Sequence, residues 1–350
     1  MVFSYYLNTP FYYLMWQIVK LFRKKKKCVL YCEDAFDIIL FQNLGKFLAP
    51  IQIIAKNSTV RKKLKTLGYK VDGILPSYPD VVLMFRNMAW KFPCKKIVKI
   101  GFKHGAYNFK AHSKAEYYNM FNIFFLTSQD EINRVRHTGV KIELQAAYPK
   151  VDSFFDGSIN EKSTKDLAYN MHLSPTKKTL LFASTWDKSG MSAIEKWYKH
   201  LHYLKPKYNI IVTVHEWMSQ KYVKDLKKDH DIHFITEFDR LKYIALADVC
   251  INDTSSLIAE TILLKKPLVT FTTNKTERSL NNVLNYIEEV SIQIDNFFQL
   301  EPAIEKLLKN PYLFLENQTK IAKIFFDDAD GSSGRRAAER IIEIVPELHL

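Results

Sequence analysis

Short apolar runs, each closed by a polar turn, recur along the chain with stretches of helical period between them. CVLYCED from Cys28, IQIIAKN from Ile51, VVLMFRN from Val81, IVKIGF from Ile97, IFFLTSQ from Ile123 and IELQAAYPKVD from Ile142 form one such series. After a polar stretch, TLLFAST from Thr179, NIIVTV from Asn209 and IHFITEF from Ile232 begin a second. Runs of this length, apolar throughout, read as strands buried on both faces, and helical patterns between them give the rhythm of a parallel α/β sheet. Asn57-Ser58 opens a basic amphipathic helix that Gly68 closes, and further helices are expected over Asp130–His137, 300–308, 311–325 and 333–344. Residues 157–177 are polar and read as a linker. The pattern therefore predicts an N-terminal segment (1–27), one α/β half (28–156), the linker, a second α/β half (178–330) and a C-terminal helix (331–350).

The densest unit of this rhythm is Ala247 to Phe271: a strand (249–251), a polar turn, a helix and a second strand (267–271). Asn252 and Asp253 are expected to cap the helix, leaving the hydroxyls and backbone N–H groups of Thr254, Ser255 and Ser256 at its positive end, where phosphate binds. Glu260, four residues after Ser256, shares that face and suits a hydroxyl-bearing group. The plainer alternative is an ordinary capped helix. Two histidines stand at strand ends, one in each half: Lys103-His104-Gly105 after IVKIGF, and His215-Glu216 after NIIVTV. A histidine at the carboxyl end of a parallel strand is placed to act on a ligand, and the glycine allows close backbone approach. Thr185 and Trp186 open a polar loop at a third strand end. Two halves with one such histidine each imply a cleft between them.

The first 22 residues are dense in aromatics (Phe3, Tyr5, Tyr6, Phe11, Tyr12, Tyr13, Trp16, Phe22), and Arg23 to Lys27 follow as an unbroken basic run. Asn8, Pro10, Gln17 and Lys20 interrupt the apolar character, so a spanning helix is not predicted. The charge also follows the apolar part, the reverse of a secretory signal. An interfacial anchor on anionic lipid fits the pattern; so does an amphipathic helix packed on the protein's own core.

Composition narrows the partners. With 47% hydrophobic residues in 350, two buried cores are well supplied. Lys and Arg outnumber Asp and Glu by 51 to 37, a formal charge of +14 that suggests an anionic partner: membrane, nucleic acid or phosphorylated substrate. Cys28, Cys32, Cys94 and Cys250 show no ligand spacing and read as reduced, buried thiols. The ten glycines form neither GxGxxG nor GxxxxGK. No carboxylate cluster has metal spacing, and no metal or cofactor is expected.

Taken in order, His104-Gly105, Tyr148-Pro149 with Asp152, Ala183-Ser184-Thr185-Trp186, His215, Asp253 to Ser256 with Glu260, and Asp330-Gly331 ahead of Arg335 make a set. Over roughly residues 95–345 this set resembles the CDP-glycerol glycerophosphotransferase family of teichoic-acid primases and polymerases. Three positions depart from that family's pattern: Glu216 replaces a proline, Ala106 follows His104-Gly105, and Glu260 stands where Asp is common. The resemblance implies two Rossmann-like domains of the GT-B type, nucleotide in the C-terminal one and acceptor in the N-terminal one. It implies a peripheral enzyme on the cytoplasmic face of the membrane. That enzyme would move a glycerol-phosphate-like group from a CDP-activated donor to a hydroxyl of a cell-surface polymer precursor and release CMP. His104 would be the base, His215, Thr185, Ser255 and Ser256 the diphosphate ligands, and Glu260 the partner of ribose or polyol. Asp253, Thr254, Gly105, Lys103, Trp186, Glu216 and Arg335 complete the candidate site. A GT-B glycosyltransferase or a nucleotide-sugar epimerase is the alternative within enzymes. A basic nucleic-acid-binding protein is the alternative outside them, although no nucleic-acid motif is present.

Overall fold

The structure is a computed structural model that describes residues 2–106, 114–237, 239–274 and 281–350. Phe238, at the end of the expected IHFITEF strand, and the side chain of Phe3 lie outside the described residues. The chain divides into two compact units. One is built from the chain up to Gly105, the stretch ending at Phe155, and Phe326–Leu350; the other is built mainly from Asp156–Phe325.

In the first unit the described strands are β1 (Cys28–Cys32), β2 (Gln52–Ala55), β3 (Gly73–Ile74), β4 (Val81–Met84), β5 (Val98–Phe102), β6 (Ile123–Leu126) and β7 (Glu143–Ala146). They form a parallel sheet of order β3-β2-β1-β4-β5-β6-β7. Val29, Tyr31, Val82, Met84, Phe124 and Leu126 lie in one apolar cluster with Trp16, Phe92 and Tyr118. Strands so placed must be apolar on both faces, which is why they read as unbroken runs rather than alternating ones.

The second unit holds β8 (Lys178–Ser184), β9 (Tyr208–Val214), β10 (His233–Phe234), β11 (Val249–Asn252), β12 (Leu268–Phe271) and β13 (Ile292–Ile294). Their order is β10-β9-β8-β11-β12-β13, again parallel. The order reverses direction at β8, so β8, β9 and β11 meet at the point where doubly wound sheets take their ligands. Both halves of the expected α/β architecture are thus present.

Two boundaries differ from the sequence reading. The polar stretch expected as a linker holds a helix, Glu161–Asn170, closed by a reciprocal cap in which Ser163 N–H donates to Asn160 Oδ1 and the Ser163 hydroxyl serves the Asn160 N–H. None of its residues is buried, which explains why its composition looks like a linker. The C-terminal helix, Ser333–Ile344, belongs to the first unit, where Ala337, Ala338 and Ile341 are buried and the helix packs on Asp37–Gly45.

The N-terminal helix, Val2–Leu21, runs through Pro10 without a break in its span. Tyr5, Tyr12 and Trp16 are buried on the first unit; Trp16 Nε1 donates to Pro79 O at 2.8 Å and the Tyr12 hydroxyl donates to Ser77 O. Its other face leaves Tyr6, Leu7, Phe11, Leu14 and Leu21 exposed. Arg23 is tied to Asp80 at 2.6 Å and Lys26 to Glu347 at 2.6 Å. Among the described residues no helix is long and apolar enough to cross a membrane.

Candidate functional site

In the second unit the site is built around Asp253, at the carboxyl end of β11 and fully buried. Its carboxylate does not cap the following helix. It turns across the sheet to the end of β8 and accepts from the Ser184 hydroxyl at 2.5 Å, Thr185 N–H at 3.0 Å and Ala193 N–H at 3.1 Å, with Thr254 N–H also supporting it. Burial raises its pKa, and these donors pull the other way. Asn252 is the last residue of β11. The expectation that Asn252 or Asp253 caps the helix is therefore corrected: Ser256 stands at the cap without a side-chain bond, and the helix, Leu257–Leu263, is only seven residues long. The reason is competition, since Ser184 and the β8 loop offer the Asp253 carboxylate three donors where a cap offers one or two.

The hydroxyls fall into two groups. Thr254 donates to Met191 O at 3.0 Å and is committed to the fold. Ser255 and Ser256 are more open, Ser255 Oγ accepting a long bond of 3.4 Å from Leu257 N–H. Glu260 is buried on the same helix, and Thr185 and Trp186 lead out of β8 between β9 and β11.

His215 follows β9 and is half-buried. Its Nδ1 accepts the Trp217 N–H at 3.1 Å, so in the neutral ring the proton sits on Nε2 and that edge is a donor. The ring packs edge-on to exposed Trp217 at 5.3 Å, and Trp217 meets Trp186 edge-on at 5.6 Å. Asp187 joins the two loops by accepting from Ser219 N–H at 3.0 Å and from its hydroxyl at 2.6 Å. The structure thus brings Thr185, Trp186, His215, Asp253, Ser255 and Ser256 to the carboxyl edge of three adjacent strands. Trp217, Ser184 and Asp187 were missed as site residues, although Asp187 lies in the polar loop after β8 that the sequence marks.

In the first unit, His104 is exposed just beyond β5, followed by buried Gly105. Lys103, expected at the ligand, instead makes a buried ion pair with Glu131 at 2.5 Å, and Glu131 also accepts Thr127 N–H at 3.0 Å. Burial disfavours the Lys103 ammonium, but Glu131 outweighs it and its pKa is raised. An unpaired ammonium there would be costly, so Lys103 serves the fold.

The motifs around Asp152 and Asp330 prove to be neighbours. Asp152 accepts Ser333 N–H at 3.2 Å and Gly334 N–H at 2.6 Å, while Ser333 Oγ accepts Tyr148 N–H at 2.6 Å. A Cβ on Gly334 would stand 2.7 Å from Asn43 O, so only glycine allows this approach. Burial pushes the Asp152 carboxyl up to about 6, opposed by the two N–H donors. A cavity of about 360 Å³ adjoins it, lined by Thr127, Tyr148, Asp152, Asp327, Asp330 and Arg336 among others. Arg335 is exposed, its guanidinium 5.3 Å from the Phe47 ring. Among the described residues no group of three or more His, Cys, Asp or Glu is placed to hold a metal ion.

The chain is 24% identical over 220 residues to the teichoic acid poly(ribitol-phosphate) polymerase of Bacillus spizizenii, a match covering 58% of this chain and 34% of that protein. It therefore spans about a third of that relative. Among solved structures, the wall teichoic acid polymerase TagF superposes with a TM-score of 0.68 at 14% identity, over 92% of this chain and 89% of the other. TagF soaked with CDPG gives 0.66 at 15% identity over 97% and 98%. A UDP-GlcNAc 2-epimerase from Neisseria meningitidis, bound to UDP-GlcNAc, gives 0.61 at 13% identity over 91% and 100%. These likenesses establish the fold, which is shared by enzymes of more than one activity. The sequence pattern of one family covers residues 100–343, a span that takes in both strand-end histidines, the Asp253–Ser256 turn and Glu260, and the chain belongs to that family, the CDP-glycerol:poly(glycerophosphate) glycerophosphotransferases.

Proposed function

We propose that this protein transfers a glycerol-phosphate or related alditol-phosphate group from a CDP-activated donor to a hydroxyl of a cell-surface polymer precursor. The observation that carries the reading is the family match over residues 100–343. TagF, of the same fold, was soaked with CDPG, which supports a cytidine donor. The acceptor hydroxyl attacks the distal phosphorus, the P–O bond to CMP breaks, and CMP leaves with the bridging oxygen. His104, exposed beyond β5, takes the hydroxyl proton. His215 donates from Nε2 to the diphosphate, together with Ser255 and Ser256 at the edge of β11. Glu260 accepts from a hydroxyl of ribose or polyol. Thr185, Trp186, Glu216 and Arg335 remain as flanking contacts, whereas Asp253 and Thr254 act by shaping the turn.

The test is CMP release from CDP-glycerol, with UDP-sugars as competitors. Replacing His104 or His215 by Ala should lower turnover about a hundredfold with little change in the thermal midpoint. Normal turnover in both variants, or binding of UDP-sugars in preference to CDP-glycerol, overturns the reading.

The N-terminal helix supports a peripheral position on the cytoplasmic face of a membrane. Its exposed face carries Leu7, Phe11, Leu14 and Leu21, and exposed Lys24 and Lys25 follow it, so apolar insertion and attraction to anionic lipid coincide. Flotation with anionic vesicles should fall when Lys24 and Lys25 are changed to Gln and as salt rises. Binding that ignores both changes overturns this part.

A further inference from the structure

Residues seven apart line up along a helix of about 3.6 residues per turn, so Leu7, Leu14 and Leu21 form one line on the N-terminal helix, flanked by Phe11 and Ile18. All of these are exposed. Tyr5, Tyr12 and Trp16 form the opposite stripe and are buried on the first unit. Tyr13 and Lys20 each stand one residue before a leucine of the line, about 100° round from it, between the apolar line and the buried stripe.

A groove runs there. Its cavity, of about 830 Å³, is lined by Tyr13, Trp16, Gln17, Lys20 and Leu21 of the helix and by Lys96, from the turn before β5. All belong to the first unit. Trp16 forms the wall: its Nε1 bond to Pro79 O holds the indole, the Tyr13 ring stacks on it at 6.1 Å, and Lys20 Nζ lies 4.7 Å from its centroid. The Tyr13 hydroxyl accepts from Gln17 Nε2 at 2.9 Å, which leaves its own hydrogen to donate. Arg23 is neutralised by Asp80 and Lys26 by Glu347, but Lys20 and Lys96 have no carboxylate partner among the described residues. The groove thus presents two uncompensated cations and a hydroxyl donor beside an exposed apolar line.

We infer that this groove binds the phosphodiester headgroup of one anionic phospholipid, whose acyl chains lie along Leu14, Ile18 and Leu21. The inference rests on the peripheral-membrane reading given above and adds to it a single lipid held at a defined place, distinct from general attraction to Lys24 and Lys25. Two ammonium groups and a hydroxyl suit the oxygens of a singly charged phosphodiester. Trp and Tyr rings with one end apolar and the other wet belong at headgroup depth. The apolar line stays in water when a free phosphate or an acidic peptide is bound, and is covered when the ligand carries acyl chains.

The experiment is calorimetry of the intact protein with dihexanoyl-phosphatidylglycerol below its micelle concentration, comparing wild type with Lys20→Gln, Lys96→Gln, their double variant and Lys24→Gln/Lys25→Gln. Wild type should take up one lipid per chain. Each groove substitution should weaken binding about fivefold and the two together about twentyfold. Lys24→Gln/Lys25→Gln should change this affinity less than about twofold while lowering flotation with anionic vesicles. Thermal midpoints should stay level, because all four lysines are exposed. Dihexanoyl-phosphatidylcholine, inorganic phosphate and tetraglutamate should each bind at least about fivefold more weakly than the anionic lipid. Equal affinity for any of these three, an equal loss in Lys24→Gln/Lys25→Gln, or affinity unmoved by the groove substitutions overturns the inference. Wild type that floats with anionic vesicles but takes up no short-chain lipid overturns the groove and leaves the peripheral position standing, whereas wild type that does neither overturns both.

Discussion

Two motif aspartates, Asp253 in the second unit and Asp152 in the first, do related work by different means. Asp253 in the second unit is ringed by four donors from the β8 loop and its own turn. Asp152 in the first receives two N–H groups from the start of the Ser333–Ile344 helix, and burial drives its carboxyl up to about 6. Both residues hold together two stretches far apart in sequence. The difference lies in compensation: Asp253 sits in a net of hydroxyl and amide donors, while Asp152 is supplied by two backbone amides. A motif residue can thus mark scaffolding for the reactive edge rather than the edge itself.

The largest effect that would test this comparison is on stability. Asp253→Ala strips buried acceptors from Ser184, Thr185, Ala193 and Thr254, and should cost on the order of 3 to 5 kcal/mol. Asp152→Ala, with two backbone donors to orphan, should cost about 2 kcal/mol. Urea unfolding of both variants checks the order. If Asp253→Ala unfolds like wild type but loses donor affinity, Asp253 is a ligand contact and the comparison fails.

A smaller effect concerns Asp152 and pH. The folded Asp152 carboxyl titrates near 6 against an ordinary value of 3.8. Between those values the folded chain keeps a proton that the unfolded chain has released, so this group's contribution is fully present below about pH 4 and is lost as pH rises to about 6. Asp152→Asn should therefore show a flatter stability profile than wild type across pH 4 to 6, and the two profiles should run parallel above it. Denaturant midpoints at successive pH values measure this. Identical profiles would mean that Asp152 is not titrating in that window.

Much of this was readable in the chain. The strands were, because parallel strands buried on both faces leave unbroken apolar runs such as VVLMF and IFFL. The strand-end placement of His104 and His215 was too, since it follows from where each run stops. Partnerships were not. Nothing local says that Asp253 reaches back to Ser184, that Asp152 meets Gly334, or that Lys103 turns inward to Glu131, because each partner lies 28 to 182 residues away. The Glu161–Asn170 helix read as a linker because it buries none of its residues.

The smallest effect concerns the two open serines of the second unit, and it asks whether anything there remains for a ligand once Asp253 is accounted for. Among the described residues Ser256 makes no side-chain cap bond and the Ser255 hydroxyl accepts a long 3.4 Å contact from Leu257 N–H, so neither hydroxyl supports the fold much. Ser255→Ala and Ser256→Ala should each change stability by less than about 0.5 kcal/mol. Against a charged phosphate the same hydroxyls matter more, because a hydrogen bond to a charged group contributes about 1.5 to 3 kcal/mol, or roughly tenfold or more in affinity. Thr254→Ser is the internal control: its hydroxyl is held by Met191 O, and keeping that bond should leave donor affinity unchanged. Calorimetric titration of CDP-glycerol against the three variants decides it. Equal affinities for wild type and both alanine variants would make this turn scaffolding throughout, like Asp253 itself, and would move the diphosphate elsewhere.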